Sequence, residues 1–401
     1  MKRAVVITGV GAVSPLGVGA ETLIERWTDG VSGIEDGLGR CSAFAAGERL
    51  SRKQVRRSDR FTQLALAAAD EAVEQAGWAD GLPYPPERIG CIIGTGVGGI
   101  ETFTIQQTML DERGAEACSP LGIPMMMSNA AASAVAMHHG MTGPNWCVAS
   151  ACAAGAHAIG TAVRLVQIDE VDAIVTGGSE AAITPMSVAA FWRMQATSRA
   201  GVSRPFDARR DGFVMGEGAG ILVLEEAEAA RARGARVLAD VLGYGATADA
   251  YHLTAPDPTG AGPVRAMRLA LQEAGVTPAD VDYVNAHGTA TPLNDRMETD
   301  AIKQVFGDDA TRMPVSSLKS SIGHLLGASG AVEAVATVLA LRRRVAPPTL
   351  NWGEPEEGLD LDYVPNAAKP LRAEARERRA VGISSSFGFG GHNAVLCIGA
   401  A

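Results

Sequence analysis

Two stretches of the chain repeat the same local plan, and this repeat constrains the fold more than any other feature. In the first half, CVASACAAGAHAIGTAVRLV leads from a β-rich run into a helix of small residues. In the second half, VSSLKSSIGHLLGASGAVEAVATVL does the same from a serine-rich strand end. Self-similarity of this kind indicates a duplicated unit. The sequence therefore predicts two related halves, residues 1–235 and 236–401.

Short apolar runs alternate with alanine-rich segments in both halves, which is typical of an α/β fold. The predicted strands are Ala4–Thr8, Ile89–Gly94, Ala173–Thr176, Gly220–Leu224, Val237–Gly245, Tyr283–Ala286, Val381–Ser385 and Ala394–Ile398. The predicted helices are Arg60–Ala76, Gly155–Gln167, Gly262–Ala274, Asp295–Phe306 and Ala328–Arg344. We expect the charged stretch Glu225–Arg236 to form an exposed helix that joins the halves.

Composition excludes several classes of protein. With 35 basic and 45 acidic side chains the net charge is -10, which argues against a nucleic-acid partner. The six cysteines form no CxxC pair, as expected in a reducing compartment. No run of about 18 uncharged apolar residues is present, and the first residues lack the apolar core of a signal peptide. We therefore expect a cytoplasmic protein without a membrane partner.

Two glycine-rich stretches raise the possibility of a nucleotide site. VVITGVGAVSPLG has Ser14 where the dinucleotide fingerprint needs its third glycine, and no acidic residue ends a second strand about 20 residues later. GTGVGG is not followed by the Lys-Ser/Thr pair of a phosphate-binding loop. We interpret both as turn glycines.

Cys152 is the cysteine best placed for chemistry. It lies in SACAAG at a strand-to-helix junction, where helix amides favour a thiolate. His287 and His324 also follow predicted strand ends, where open α/β sheets collect ligands. Neither has the neighbouring acids or histidines of a metal site. The remaining histidines are interpreted as surface or core residues: His138, His139, His157, His252 and His392.

Lys319 and Glu333 are candidates for an ion pair beside these histidines. Lysine is rare in this chain, yet Lys319 stands between serines five residues before His324. Glu333 is an isolated acid on an apolar helix and could hold that ammonium. A solvated helix face is the alternative for Glu333.

Several motifs together resemble one family, the elongating type II β-ketoacyl-acyl-carrier-protein synthases. The resemblance runs in order from Arg3 to the C-terminus. Its motifs are GVGAVSPLG, SACAAG, SRPFDARRDGFVMGEGAG, DAYHLTAP, YVNAHGTATPLND, VSSLKSSIGHLLGASGAVEA and SSSFGFGGHNA. It implies the thiolase fold, a duplicated five-layered α-β-α-β-α arrangement, usually in a homodimer.

The resemblance also implies roles for the candidate residues. Cys152 would carry the acyl chain as a thioester, and His287 and His324 would bind the malonyl thioester carbonyl during decarboxylation. Phe389 would gate the acyl pocket and share an oxyanion hole with Cys152. The ion pair would orient the histidines. The positions assigned to substrate binding are Gly122, Phe191, Thr289 and Thr291.

An acidic acyl carrier protein is the implied partner, and its phosphopantetheine arm would carry the substrates without any further cofactor. An enzyme of net charge -10 needs a basic island to attract it. SRKQVRRSDR would place four cations on one stripe if the segment were a single helix. Those cations are Lys53, Arg56, Arg57 and Arg60.

Two alternatives remain at this point. Ala196–Ser198 and NDRMET at 294–299 resemble polyketide ketosynthases, whose catalytic residues are the same and whose partner is a chain-length factor. A carrier-binding subunit without turnover is the second alternative. The presence of Cys152 with both histidines argues against it.

Overall fold

The computed structural model describes residues 2–372 and 378–401. Its strands are β1 Val5–Ser14, β2 Gly17–Val18, β3 Leu38–Gly39, β4 Ile89–Gly94, β5 Asn145–Val148, β6 Ala173–Glu180, β7 Met215–Gly216, β8 Gly218–Glu226, β9 Ala239–Ala248, β10 Tyr283–Asn285, β11 Val315–Ser316, β12 Val345–Ala346, β13 Lys369–Pro370, β14 Val381–Gly388 and β15 His392–Ala400. All eight predicted strands are present.

The helices confirm the predicted ones and add several short ones. They are α1 Ala20–Thr28, α2 Ala46–Arg49, α3 Arg52–Arg57, α4 Arg60–Gln75, α5 Ile100–Arg113, α6 Gly122–Met126, α7 Ala130–His139, α8 Ala154–Gln167, α9 Pro185–Arg193, α10 Ala227–Ala232, α11 Ala261–Ala274, α12 Pro292–Phe306, α13 Lys319–Ile322 and α14 Ser329–Arg343. Short 3₁₀ turns lie at Pro86–Arg88, Ala115–Ala117, Pro278–Asp280, Gly307–Arg312 and Leu326–Ala328. No helix of the described residues is both long enough and apolar enough to cross a membrane.

Strand pairing reveals the internal repeat directly. The main sheet has the order β11-β10-β14-β15-β9-β1-β8-β6-β4-β5, with β2 paired to β1. Read outward from the central β9–β1 contact, both halves run antiparallel, antiparallel, parallel, parallel. The strands β1, β8, β6, β4 and β5 thus correspond to β9, β15, β14, β10 and β11. Among the described residues, two residue pairs join β1 to β9 across the middle of the sheet, Val6 with Asp240 and Ile7 with Ala239.

The helices divide the molecule into five layers. Helices α4 and α7 cover the outer face of the first half-sheet, and α11 and α12 cover the outer face of the second. Helices α8 and α14 pack against each other and against strands of both halves, so they form the middle layer. Nearly all of α14 is buried, which explains why its sequence is apolar on every side except at a few positions such as Glu333 and the two final arginines. The predicted α-β-α-β-α arrangement follows.

Matching glycines in the two halves mark the closest helix–strand contacts. A Cβ on Gly9 or Gly11 of β1 would lie 2.0 Å from a carbonyl oxygen of α4. A Cβ on Gly243 or Gly245 of β9 would lie 2.1 or 2.0 Å from a carbonyl oxygen of α11. The interpretation of Gly9 and Gly11 as turn glycines is therefore wrong: they lie inside a strand and let a helix approach.

The expected joining helix at Glu225–Arg236 is shorter and less exposed than predicted. Glu225 belongs to β8 and is fully buried. Its carboxylate accepts hydrogen bonds from Arg233, at 2.7 and 2.5 Å, and from Tyr84 at 2.7 Å. Helix α10 begins only at Ala227. Glu225 and Arg233 form an ion pair across a turn, so the charged sequence of this segment hid the buried end of β8.

Candidate active site

Three strand ends bring the predicted catalytic side chains together. Cys152 follows β5 and His324 follows β11, which are equivalent strands of the two halves. His287 follows the neighbouring β10. All three are buried and line one cavity of about 380 Å³ with largely apolar walls. Cys152 and His324 are 172 residues apart in sequence and the two histidines are 37 apart, so only the fold could unite the three side chains.

Cys152 sits in a tight turn between β5 and α8. The preceding Ala151 has φ of 50°, a left-handed conformation rare for a residue with a side chain. Gly388 packs against this turn, and a Cβ there would lie 3.1 Å from the Cys152 nitrogen. Cys152 lies at the strand-to-helix junction that was predicted, but its thiol is not the thiolate that the helix N-terminus led us to expect. Burial raises the pKa of the Cys152 thiol to about 11, although the Phe389 backbone and the Lys319 ammonium oppose the increase.

His324 presents a hydrogen-bond donor to the cavity. The backbone N–H of Leu326 donates to Nδ1 of His324 at 3.2 Å, and the Ser329 hydroxyl lies 2.8 Å from the same atom. An Nδ1 that accepts cannot carry the proton of a neutral imidazole, so Nε2 carries it. Burial, followed by Lys319, holds the pKa of His324 well below its usual value, which keeps the ring neutral. Its Nε2 lies 3.0 Å from the Cys152 sulfur.

His287 is held in the same tautomer by different groups. The Lys319 ammonium lies 3.4 Å from Nδ1 of His287 and donates to the His287 carbonyl oxygen at 2.5 Å. Because an ammonium has donors only, Nδ1 must accept and Nε2 must carry the proton. Burial is the main cause that lowers the pKa of His287 well below its usual value. The two imidazoles lie 5.5 Å apart, nearly perpendicular to each other.

The expected ion pair of Lys319 and Glu333 is present, and the alternative of a solvated Glu333 is wrong. Both side chains are about 1% exposed. Their ammonium and carboxylate are in direct hydrogen-bond contact. With Glu333, the His287 carbonyl and the His287 ring, all donors of the ammonium have a partner. A buried lysine used in this way fixes the orientation of a neutral histidine.

Phe389 occupies the turn of the hairpin between β14 and β15. The turn is Phe389, Gly390 and Gly391, and both glycines have positive φ, 83° and 73°. Phe389 lines the cavity beside Cys152, and its backbone N–H acts on the Cys152 thiol. The backbone amides of Phe389 and Cys152 both act on the Cys152 thiol, so both N–H groups lie close to the sulfur.

Three of the four residues assigned to substrate binding line the cavity. These are Phe191, Thr289 and Thr291. The Thr289 and Thr291 hydroxyls are 2.8 Å apart. Gly122 lies instead at the start of α6, against Gln106, and is not part of the cavity wall. We expected Gly122 to lie beside the acyl pocket, but it does not line the cavity of the described chain.

The expected four-cation stripe is broken, because the segment is not one helix. Helix α3 ends at Arg57, and α4 begins at Arg60 after two extended residues. Lys53, Arg56 and Arg57 are exposed. Arg60 turns inward and binds the buried Glu217 with two hydrogen bonds of 2.7 and 2.8 Å. Only three of the four cations therefore remain free to meet a partner.

Sequence reasoning missed Glu298, which holds the His287 backbone in place. Its two carboxylate oxygens accept the N–H groups of His287 and Gly288, each at 2.7 Å. Burial raises the pKa of Glu298 to about 7. The sequence feature that could have indicated this role is the position of Glu298 two turns into α12, the helix that follows His287. Ser329, which contacts the His324 ring, was also missed.

Comparison with known proteins identifies the family. The family model described as "Beta-ketoacyl synthase, N-terminal domain" matches residues 2–230, and "Beta-ketoacyl synthase, C-terminal domain" matches residues 238–353. The chain belongs to the β-ketoacyl synthase family. A 3-oxoacyl-[acyl-carrier-protein] synthase 2 from Synechocystis sp. is 45% identical, over 98% of this chain and 97% of the relative. This similarity makes the chain a condensing enzyme of the elongating type.

Solved structures of the β-ketoacyl synthase family confirm the thiolase fold. A β-ketoacyl synthase from Burkholderia phymatum superposes with a TM-score of 0.91 at 35% identity, covering all of both chains. A type II polyketide ketosynthase, solved with its acyl-carrier protein, superposes with a TM-score of 0.89 at 30% identity, again over both full chains. The chain thus shares its fold both with a β-ketoacyl synthase and with a type II polyketide ketosynthase.

Proposed function

We propose that this β-ketoacyl synthase lengthens fatty acyl chains by two carbons through decarboxylative condensation of an acyl thioester with malonyl-acyl-carrier protein. The observation that carries the proposal is the pair of neutral imidazoles, each with Nε2–H as its free donor, beside a buried thiol. Two donors that converge on one carbonyl oxygen stabilise an enolate, which is the species that decarboxylation produces.

The first half-reaction transfers the acyl group to Cys152. The sulfur attacks the acyl carbonyl, the carrier thiol leaves with a proton, and a new thioester remains on the enzyme. The amides of Cys152 and Phe389 would stabilise the tetrahedral oxyanion. Because the thiol pKa is raised, the attacking thiolate is a minor species, and the His324 donor 3.0 Å away stabilises it as it forms.

The second half-reaction uses the histidines. The malonyl thioester carbonyl would accept hydrogen bonds from Nε2 of His287 and Nε2 of His324. Loss of CO₂ then leaves an enolate, whose carbon attacks the Cys152 thioester. A carbon–carbon bond forms, the carbon–sulfur bond breaks, and the thiol is released. Lys319, Glu333 and Glu298 act as positioning residues. Lys319 and Glu298 touch His287, Glu333 holds Lys319, and none of the three lines the cavity.

We propose an acyl carrier protein as the partner and α3 as part of its dock. A carrier protein is acidic, and Lys53, Arg56 and Arg57 form an exposed basic group on an enzyme of net charge -10. The substrates need no cofactor beyond the carrier's phosphopantetheine arm. A cytoplasmic location is consistent with this partner. The nucleophile would come from the half 1–235 and the histidine pair from the half 236–401.

A homodimer is supported by the edges of the main sheet. Strand β5 is a sheet edge, and it is only partly buried, with Trp146 38% exposed. On the adjoining helix α7, Met137 is 77% exposed. The opposite edge strand, β11, is fully buried. An open apolar edge is the kind that a second copy covers by strand pairing. A chain-length factor on the same edge would instead support the polyketide alternative.

The proposal is tested by product analysis. The enzyme is incubated with acyl carrier proteins of graded chain length and malonyl carrier protein, and the products are identified by mass spectrometry. Single two-carbon extension by the enzyme alone supports fatty-acid elongation. Multiple extensions, or activity only with a copurifying second chain, would support the polyketide alternative. In Cys152→Ala, condensation should be lost while malonyl decarboxylation continues.

A further inference from the structure

A cluster of Asp70, His138 and His139 lies on the outer helix layer, apart from the active site. Asp70 is on α4, and both histidines are in the last turn of α7. None of the three lines the active-site cavity. Within residues 2–372 and 378–401, this is the only group of three His, Cys, Asp or Glu residues whose ligand atoms all lie within 4.8 Å of one another.

The three side chains converge without bonding to one another. Asp70 Oδ1 lies 3.1 Å from Nε2 of His138 and 3.2 Å from Nε2 of His139. Neither contact has hydrogen-bond geometry, and both Asp70 Oδ1 and His139 Nε2 are buried atoms without a hydrogen-bond partner. A simple histidine–carboxylate pair would aim an N–H at the oxygen. Leaving two buried polar atoms unsatisfied is destabilising, so another group is expected between them.

A divalent metal ion fits these distances. Zinc bonds to histidine nitrogen and carboxylate oxygen are about 2.0–2.2 Å long, and a tetrahedral site then places neighbouring ligand atoms about 3.3–3.5 Å apart. The two oxygen–nitrogen distances are close to that value. Two imidazoles and one carboxylate are also a donor set that zinc uses in proteins. The side chains of His138 and Asp70 are 39% exposed, which gives the ion an entry path and leaves room for a water as fourth ligand.

We propose that Asp70, His138 and His139 form a binding site for a zinc-like divalent transition-metal ion that ties the end of α7 to α4. Ligation through Nε2 leaves the proton of His138 on Nδ1, where Gln54 is the neighbour at 3.3 Å. The Gln54 oxygen is held by the Ser51 N–H at 2.9 Å, so water would bond the Nδ1 proton of His138, whose side chain is 39% exposed, and serve as the outer acceptor that metal-bound histidines usually have. Since α7 leads directly into the edge strand β5, the ion would stabilise the surface on which we propose that a second copy pairs.

The site is tested on the full-length enzyme after Cys152 has been blocked with iodoacetamide, so that the catalytic thiol does not compete for the metal. Zinc chloride is titrated by calorimetry, and cobalt(II) is titrated by its visible absorption. The variants are Asp70→Asn and His139→Ala. Glu74→Gln is the matched control, because Glu74 is an exposed acid one turn further along α4.

We expect one zinc ion per chain, cobalt bands of a four-coordinate nitrogen–oxygen site, and a higher Tm with zinc. Each ligand variant should lose at least about tenfold in affinity, as even the loss of an outer-shell partner often does. The control should bind like the unmodified sequence. Unchanged binding in both ligand variants would overturn the proposal, as would no saturable binding at all. Cobalt–thiolate absorption would place the ion on a cysteine and overturn it equally.

Discussion

Nε2 of His324 faces Sγ of Cys152 at 3.0 Å, and that nitrogen is the one that carries the proton. The Leu326 N–H donates a hydrogen bond to Nδ1, the other ring nitrogen. The ring therefore donates from Nε2 toward the sulfur and does not accept the thiol proton. In the proposed mechanism His324 is therefore a donor to the Cys152 sulfur and not its general base. The thiol must lose its proton through the substrate or through solvent.

Alkylation of Cys152 should become faster with pH well into the alkaline range. Because burial raises the thiol pKa to about 11, the thiol form dominates at neutral pH and the thiolate fraction grows about tenfold for each pH unit. The rate of iodoacetamide modification, followed by peptide mass spectrometry, should rise with unit logarithmic slope to about pH 10. The same reaction of Cys152→Ser gives the background. A plateau below pH 8 would show an activated thiolate instead.

Removal of either histidine should stop decarboxylation almost as completely as removal of both. The loss of one oxyanion donor typically costs about 10²–10³ in rate. His287→Ala and His324→Ala should each fall in this range for CO₂ release from malonyl-acyl-carrier protein. Groups that act on one oxyanion give strongly non-additive losses, so the double variant should be little worse. If the rate loss of the double variant were the product of the two single losses, the two histidines would donate to different atoms.

Breaking the buried ion pair should cost stability, and replacing both members should recover it. Lys319→Met leaves the Glu333 carboxyl uncompensated in the core, a change that typically costs about 3–5 kcal/mol. The free energy of unfolding is measured by urea denaturation. Lys319→Met with Glu333→Leu removes both charges and should regain most of that loss. Decarboxylation should stay impaired in the double variant, because His287 has lost the donor that fixes its tautomer.

Glu298→Gln should impair decarboxylation without changing access to the nucleophile. The carboxylate accepts two backbone N–H groups, and a side-chain amide would aim its own N–H at one of them. His287 would shift, and kcat should fall by about tenfold or more, as displacement of a catalytic group does. The rate of Cys152 alkylation should be unchanged. Asp300→Asn is the control, an exposed acid on the same helix.

The basic residues near α3 should separate into two groups. Arg56→Glu with Arg57→Glu should raise KM for carrier-bound substrates several-fold and weaken its salt dependence, because exposed charges act on encounter. Alkylation of Cys152 should not change. Arg60→Ala should instead lower Tm with little effect on KM, since it leaves the buried Glu217 without its cation. If the substitutions of Arg56, Arg57 and Arg60 all changed KM equally, the three residues would act together in carrier binding, which would contradict this division.

The strands, the fold class and the placing of three candidate side chains at strand ends were predictable from sequence, because each depends on a local pattern. Cys152, His287 and His324 all follow strand ends, and strand ends are readable from apolar runs. The inward turn of Arg60 was not readable. It depends on Glu217, which is 157 residues away in sequence. The two-residue break before Arg60 has the same origin, since Asp59 caps α4 and accepts the distant Thr102 amide.

Residues that position the candidate catalytic groups could not be predicted from local sequence patterns either. Glu298 lies in a stretch that resembles polyketide enzymes, yet its role is visible only where its carboxylate meets the His287 backbone. The raised pKa of Cys152 is a further case. A helix N-terminus predicts a lowered value, whereas full burial in an apolar cavity outweighs it.

The positions of Cys152 and His324 at equivalent strand ends show that the site departs from the symmetry of the two repeats. Two identical chains related by a true dyad would have to carry the same residue at both ends, either two nucleophiles or two donors. Fusion of the two copies into one polypeptide removes that constraint, because each copy can then mutate alone. The site holds unlike groups, a thiol and an imidazole, at equivalent strand ends. Because both repeats lie on one chain, one fold used twice can hold different groups at matching positions.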